Sequence, residues 1–151
     1  MNLTKMPAKY QQLLKLLNSF DYKISELSAF RLFNNDISNS KIIESSQLCI
    51  VEKYLEKELM ELSKMFDVST KSAIILCSMF FNSFTELFVS RAVSEEDLAS
   101  AICLDSYVIS DLSESISELE SKKIIKVKLL NASTEKSYWL TEDFINTITK
   151  F

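Results

Sequence analysis

The chain contains no glycine among its 151 residues, although average usage of about 7% predicts roughly ten. Glycine-dependent phosphate loops, such as the P-loop and the GxGxxG turn, need backbone conformations and a close approach that a side chain prevents. The GxSxG nucleophile elbow is missing for the same reason. The lack of glycine therefore excludes the common nucleotide-binding loops and the common serine-hydrolase motif from this chain.

Histidine is also absent, which removes imidazole bases, HExxH metal helices and Ser-His or Cys-His pairs. Cys49, Cys77 and Cys103 are widely spaced among apolar neighbours, a pattern typical of buried thiols rather than of a disulfide framework or a zinc site. The carboxylates fall mostly on the polar faces of predicted helices and form no recognisable catalytic group. We therefore expect a non-enzymatic chain with no catalytic residue, no metal site and no cofactor.

The composition is that of an ordinary folded chain, with 47% hydrophobic and 25% charged residues. The longest apolar run, AIILCSMFF at 73–81, is shorter than the roughly 18 residues that a membrane span needs. The N-terminus, MNLTKMPAKYQQ, lacks the apolar core of a secretory signal. We therefore predict a cytoplasmic chain with no membrane contact and no evident small-molecule ligand.

Hydrophobic spacing predicts helices throughout the first 66 residues. A first helix should begin near Pro7, a short second one should run from Ile24 to Phe33, and a polar loop should continue to Ser46. A longer helix from about Ser46 to Phe66 should follow. We predict an N-terminal helical segment at 1–45 and a second unit at 46–151, packed together as one compact body.

Residues 69–103 predict a central helix and a short capped one. Ser69 is a plausible N-cap for a helix with apolar groups on almost every side, among them Ile74, Ile75, Leu76, Met79, Phe80, Phe81 and Phe84. A short apolar strand is expected at Leu87–Val89. Ser94 then caps a brief helix that ends near Cys103.

A second helix, from Asp105 or Ser106 to about Ser121, follows after a tight turn, and together the two helices are the elements of a helix-turn-helix. Ile125–Leu129 alternates like a strand, NASTEK turns the chain, and Ser137–Leu140 returns as the partner strand. Thr141 caps a last helix. The predicted fold is therefore mainly α, a winged helix-turn-helix with a short β-hairpin wing, preceded by additional N-terminal helices. The predicted shared core comprises Ile75, Leu76, Phe80, Leu98, Leu112, Ile116, Leu119 and Trp139.

The stretch from about Leu55 to Phe151 resembles a known family. The segments FDVSTKSAIILCSMF, VSEEDLASAICLDSYVISDLSESISELESKKII and SYWL are similar to the N-terminal region of certain bacterial AAA-type ATPases, in which an ATPase module follows a winged helix. The resemblance implies an accessory domain or a free-standing relative of such a domain. It transfers no catalytic residue.

One hypothesis is a DNA-binding regulator, with the helix at 105–120 in the major groove and the wing on the phosphates. The candidate phosphate contacts are Lys122, Lys123, Lys126, Lys128 and Lys136. Base edges are read mainly by Arg, Lys, Asn and Gln, and this helix has none of them but five carboxylates. A lysine-rich hairpin is also ordinary protection of a strand edge. DNA binding is therefore possible but disfavoured.

The other hypothesis is an interaction module that binds a protein partner or a second copy of the chain. The candidate protein-facing surface comprises Ser106, Tyr107, Ser110, Glu114 and Ser117, and the N-terminal helices could supply a dimer face. A MarR-type regulator has comparable N-terminal helices, but it needs long dimerisation helices after the wing, where only about ten residues are present. We prefer the interaction module, although fold analogy alone does not decide function.

Overall fold

The computed structural model describes residues 8–34, 40–83, 92–129 and 135–150. Within these ranges the chain is mainly helical, with a small three-stranded antiparallel sheet. The helices are α1 (Ala8–Asn34), α2 (Ser40–Tyr54), α3 (Glu56–Phe66), α4 (Thr70–Ser83), α5 (Glu95–Ser100), a 3₁₀ helix (Ser106–Leu112), α6 (Ser113–Ser121) and α7 (Glu142–Thr149). The strands are β1 (Val93–Ser94), β2 (Ile125–Leu129) and β3 (Lys136–Leu140). No helix in the described ranges is long and apolar enough to cross a membrane.

The N-terminal helices are longer than predicted. α1 is continuous where two segments were expected, because one buried stripe runs along its length from Leu13 through Phe20 to Leu27. The expected loop before Ser46 is wrong from Ser40 onward, where α2 begins. The boundary predicted between residues 45 and 46 consequently falls inside α2.

α2 and α3 are separated only by a local distortion at Leu55. Its backbone departs from helical geometry, with φ −106° and ψ 15°. The hydrogen bonds nevertheless continue, since Leu55 N–H donates to Val51 O at 3.0 Å and Leu59 N–H donates to Leu55 O at 2.8 Å. The predicted helix up to Phe66 is therefore present as two nearly continuous pieces.

A buried carboxylate joins α1 to α3. Glu58 is 5% exposed, lies 2.7 Å from Lys23 Nζ, and accepts a hydrogen bond from Ser19 Oγ at 3.0 Å. Burial alone would raise the pKa of the Glu58 carboxyl, but Lys23 and Ser19 favour its charged form and hold that pKa below its usual range. This ion pair fixes the long first helix on the rest of the core.

α4 is the centre of the core, as its sequence predicts. Every residue from 72 to 80 is buried, and α4 contacts α2, α3, α5 and α6. Six of the predicted core residues are buried, namely Ile75, Leu76, Phe80, Leu98, Leu112 and Leu119, while Ile116 is partly buried and packs against the same cluster. Most of the predicted shared core is therefore confirmed.

Three predicted N-caps are confirmed. The side-chain oxygens of Ser69, Ser94 and Thr141 each accept a hydrogen bond from the backbone N–H three residues further on, at 3.1, 3.1 and 3.2 Å. Such caps satisfy N–H groups that have no partner within the helix. Several other predictions lie outside the described residues: Pro7, Phe84, the Leu87–Val89 strand and most of the NASTEK turn.

Helix ends in this glycine-free chain use other residues in the left-handed conformation. Among the described residues, Asp67, Cys103 and Lys123 have positive φ, at 53°, 59° and 59°. They follow α3, α5 and α6, at positions where glycine is usually preferred because it has no Cβ. The chain therefore makes these sharp exits from its helices with side chains present.

The sheet has the order β1-β3-β2. Tyr138 pairs with both Val93 and Val127 and is buried in the helical core. Trp139 pairs with Lys126 and therefore projects from the opposite face, where it is only partly buried. The prediction that Trp139 belongs to the core is wrong, because alternation along a strand places neighbouring side chains on opposite faces.

Candidate interaction surfaces

Acidic charge is concentrated in one part of the chain. Residues 95–121 contain eight Asp or Glu residues and no Lys or Arg, whereas residues 122–151 contain six Lys and three acidic residues. The first segment comprises α5, the 3₁₀ helix and α6, and the second contains the β2–β3 hairpin. The chain, whose net charge is −4, therefore contains two adjacent segments whose net charges have opposite signs.

The predicted protein-facing residues are all on the solvent side of the 3₁₀ helix and α6. We define the acidic surface as the exposed residues Ser106, Tyr107, Ser110, Asp111, Glu114 and Ser117. Tyr107 is 51% exposed, and Ser110 Oγ donates to the Tyr107 carbonyl at 2.7 Å. The predicted single α-helix from residue 105 or 106 is corrected, because its first part is a 3₁₀ helix.

Glu118 is not part of this surface, because its carboxylate caps the start of α4. Glu118 Oε1 accepts a hydrogen bond from Ser69 N–H at 3.1 Å and another from Ser72 Oγ. The hydrogen bonds from Ser72 and Ser69 hold the pKa of the Glu118 carboxyl below its usual range. A carboxylate at a helix N-terminus is also favoured by the helix dipole. One of the helix's five carboxylates therefore has a structural role.

Asp105 has a structural role as well. Its side chain and backbone are held by Gln47 of α2, immediately before the 3₁₀ helix begins. Asp105 and Glu118 thus fix the two ends of the segment 105–118 to α2 and α4. The sequence contains no local signal for either contact, since the partners lie 58 and at least 46 residues away.

Two of the predicted phosphate contacts share one face of the sheet. Lys126 and Lys128 are exposed and pair with Trp139 and Ser137, so both lysines project away from the helical core. We define the lysine face as Lys126 and Lys128. Lys126 Nζ lies 5.5 Å from the centroid of the Trp139 ring, within range of a cation–π interaction. That contact covers one side of the only tryptophan ring.

The other three lysines do not join this face. Lys136 pairs with Leu129 and therefore lies on the opposite side of the hairpin. Lys122 Nζ donates to the Asp67 carbonyl and lies 3.7 Å from Glu118. Lys123 occupies the left-handed turn before β2. The structure thus brings only two of the five predicted contacts together on one face.

A small polar cavity of about 270 Å³ joins the edges of the two predicted surfaces. It is lined by Ser94, Glu95, Glu96, Ser106, Glu135 and Lys136. Tyr138 OH, which is buried, donates to Glu95 Oε1 at 2.8 Å, so the wall of the cavity is tied to β3. Ser106 and Lys136, predicted for separate surfaces, are neighbours here.

The cysteines are only partly as predicted. Cys77 is buried, and burial raises the pKa of its thiol, whereas Cys103 is intermediate and Cys49 is exposed. Cys49 lines a groove of about 500 Å³ beside α2 and α3, and no sequence pattern predicted this groove. No cluster of three or more cysteines or carboxylates suited to a metal ion occurs in the part of the chain that the structure describes.

No protein-family model matches the chain, and comparisons with curated proteins and with solved structures also found no match. The resemblance to the N-terminal region of AAA-type ATPases therefore stays a hypothesis based on hydrophobic spacing and a few short sequence motifs.

Proposed function

We propose that the chain is a non-catalytic interaction module with a winged-helix arrangement, and that its acidic surface binds a protein partner. By resemblance, the module is an accessory domain of an AAA-type ATPase or a free-standing relative. The reading frame on the 3′ side of the codon for Phe151 tests this part of the proposal. An accessory domain should be followed there by a glycine-containing P-loop.

The winged-helix part is supported by the order of the elements. α5 is followed by a tight left-handed turn at Cys103, the 3₁₀ helix and α6, and then the β2–β3 hairpin. β1 precedes α5 and pairs with β3. A helix-turn-helix followed by a hairpin is the defining order of this arrangement. Its second helix starts as a 3₁₀ helix, which presents side chains with a different spacing from an α-helix.

The charge of the second helix carries the functional proposal. No Arg, Lys, Asn or Gln occurs between residues 105 and 121, so the helix lacks the side chains that read base edges. Asp111 and Glu114 are exposed on it and would repel phosphates. A protein surface of opposite charge would be attracted instead. The exposed Tyr107 adds an aromatic group of a kind enriched in protein interfaces.

A second candidate is DNA binding by the wing, which the shared orientation of Lys126 and Lys128 favours. β2 is an edge strand in the sheet order β1-β3-β2, and lysines on an edge strand also protect it from pairing with other chains. The Trp139 ring next to them is engaged by Lys126 and is thus poorly placed to stack on a base. These features favour edge protection over phosphate binding.

Photo-crosslinking tests the protein-binding proposal. A photoreactive phenylalanine analogue replaces Tyr107 in one variant and Tyr22, which is 68% exposed on α1, in a matched control. We expect nuclease-resistant protein adducts from position 107 in cells that naturally carry the chain, and none of the same mass from position 22. Equal adducts from both positions would contradict a specific surface.

Fluorescence anisotropy with random duplex DNA tests the second candidate. The wild-type chain should bind no tighter than about 10⁻⁴ M at physiological salt, the weak limit of non-specific binding. Lys126→Glu/Lys128→Glu should then change nothing measurable. Salt-sensitive submicromolar binding that the double variant abolishes would establish DNA binding instead.

A further inference from the structure

We propose that the partner of the acidic surface is a second copy of the chain, whose lysine face docks on it, so that two copies form a reciprocal dimer. This inference rests on the proposed function, because it identifies the partner of the same surface. It is drawn from charge complementarity within the chain. Residues 95–121 have no basic side chain, and the hairpin that follows has a pair of exposed lysines on one face.

The two charged surfaces do not neutralise each other within one copy. Lys126 and Lys128 project from the sheet face opposite to Tyr138 and the helical core. In the described part of the chain, one ion pair joins the acidic segment to the hairpin segment, between Glu118 and Lys122 at 3.7 Å, and it lies at the base of the hairpin. Asp111, Glu114, Lys126 and Lys128 are all exposed, so their charges are accessible to another molecule.

The placement of the surfaces suits a two-fold arrangement. Ser106, from the acidic surface, and Lys136, from the hairpin, line the same cavity, so the acidic surface lies directly beside the wing. Lys136 lies on the side of the hairpin opposite to the lysine face, so the lysine face is turned away from the acidic surface of its own copy and is left for that of a second copy. In a closed two-fold dimer this contact occurs twice. Closed two-fold dimers are also the commonest homo-oligomers.

Two exposed apolar groups lie at the same boundary. Tyr107 is 51% exposed and Leu129 is 63% exposed. Leu129 pairs with Lys136 and shares its side of the hairpin, opposite to the lysine face. Tyr107 directly follows Ser106, which lines the cavity together with Lys136. Protein interfaces usually combine an apolar centre with a polar rim. Burying them between two copies would add non-electrostatic attraction.

Sedimentation velocity of the whole chain tests the dimer. The mean sedimentation coefficient should rise with protein concentration at about 0.05 M salt and rise much less at about 0.5 M, because screening shortens the Debye length from more than 10 Å to about 4 Å. Asp111→Lys/Glu114→Lys should abolish the rise, and so should Lys126→Glu/Lys128→Glu. The combined four-fold variant should restore it, since its charges are exchanged but still complementary.

A matched control variant distinguishes the effect of the hairpin lysines from the effect of the net charge of the chain. Lys57→Glu/Lys64→Glu changes two exposed lysines of α3 and alters the net charge as much as the hairpin variant does. It should still dimerise at low salt. Thermal unfolding followed by circular dichroism confirms that each variant is folded. An equimolar mixture of Asp111→Lys/Glu114→Lys with Lys126→Glu/Lys128→Glu should associate, because their surfaces are complementary to each other, and this test does not require the four-fold variant to fold.

The two proposals fail in different ways. A wild-type chain that stays monomeric at low salt up to about millimolar concentration, or variants whose mixture does not associate, would overturn the dimer. Adducts from position 107 whose mass is twice that of the chain support it. If the chain is monomeric but position 107 still gives adducts with a different protein, the proposal that the acidic surface binds a protein is supported and only the proposed identity of the partner is wrong.

Discussion

Gln47 and Asp105 exchange two hydrogen bonds across 58 residues of sequence. Gln47 Nε2 donates to Asp105 Oδ2 at 2.7 Å, and Asp105 N–H donates to Gln47 Oε1 at 3.0 Å. Gln47 is 4% exposed, so its amide group depends on these partners. The pair sets where the 3₁₀ helix begins, and with it the position of the acidic surface.

Gln47→Leu should lower the free energy of unfolding by about 1–3 kcal/mol, because the Asp105 backbone and carboxylate both lose this partner. Urea unfolding measures the change. Gln12→Leu, on the exposed side of α1, is the matched control and should stay within about 0.5 kcal/mol. Equal losses in both variants would show that the exchange of hydrogen bonds contributes little.

Leu112→Ala should lower the free energy of unfolding by about 2–5 kcal/mol, because Leu112 is 1% exposed in the core and its removal leaves a cavity. The same change at Leu129, which is 63% exposed, should cost less than about 0.5 kcal/mol. Chemical denaturation of both variants measures the difference. A loss below about 0.5 kcal/mol at Leu112 would contradict its place in the core.

Lys123→Gly should raise the free energy of unfolding by up to about 1 kcal/mol. The left-handed conformation costs a residue with Cβ about 1–2 kcal/mol, and the greater freedom of glycine in the unfolded chain offsets part of that gain. Thermal unfolding measures the shift. Lys57→Gly is the control within α3, and it should instead destabilise by about 1 kcal/mol.

Glu118 should make stability depend on acidic pH. Its folded-state pKa lies below the ordinary value of 4.5, so the charged form stabilises the fold above about pH 4.5, and this stabilisation is lost as pH falls through the lower folded-state value. Glu118→Gln removes it. The thermal midpoints of the wild type and Glu118→Gln should therefore converge as pH falls below about 4.5.

Ser72→Ala supplies the control for this pH dependence, because it removes a hydrogen-bond donor to Glu118 but keeps the carboxylate. It should weaken the dependence on pH without removing it. Adding Ser72→Ala to Glu118→Gln should cost less than it costs in the wild type, since the two residues act together. Strict additivity would argue against their coupling.

The features that were predictable from the sequence depend on local chemistry. The caps at Ser69, Ser94 and Thr141 need only an oxygen three residues before an N–H, and the apolar run of α4 indicates burial by itself. The antiparallel pairing of β2 with β3 follows from alternation on both sides of a polar turn.

The features that were missed depend on residues far apart in the chain. Which of Tyr138 and Trp139 faces the core depends on the register of β3, since a shift of one residue exchanges the two faces. The same register places Lys136 away from Lys128. The start of α2 at Ser40 has no strong capping or apolar signal, and polar residues there are helical in spite of their weak propensity.

The central strand of the sheet, β3, is also the last strand in the sequence. Among the described strands, β1 and β2 pair with β3 and not with each other, so during synthesis on a ribosome these pairings form only after the nascent chain extends through Leu140. Unpaired strands of a nascent chain invite aggregation. Lys126 and Lys128 lie on β2, which is synthesised before its partner β3, and their charge opposes pairing of β2 with other chains. The lysine face is therefore placed to oppose wrong pairing of β2 during the interval before β3 exists.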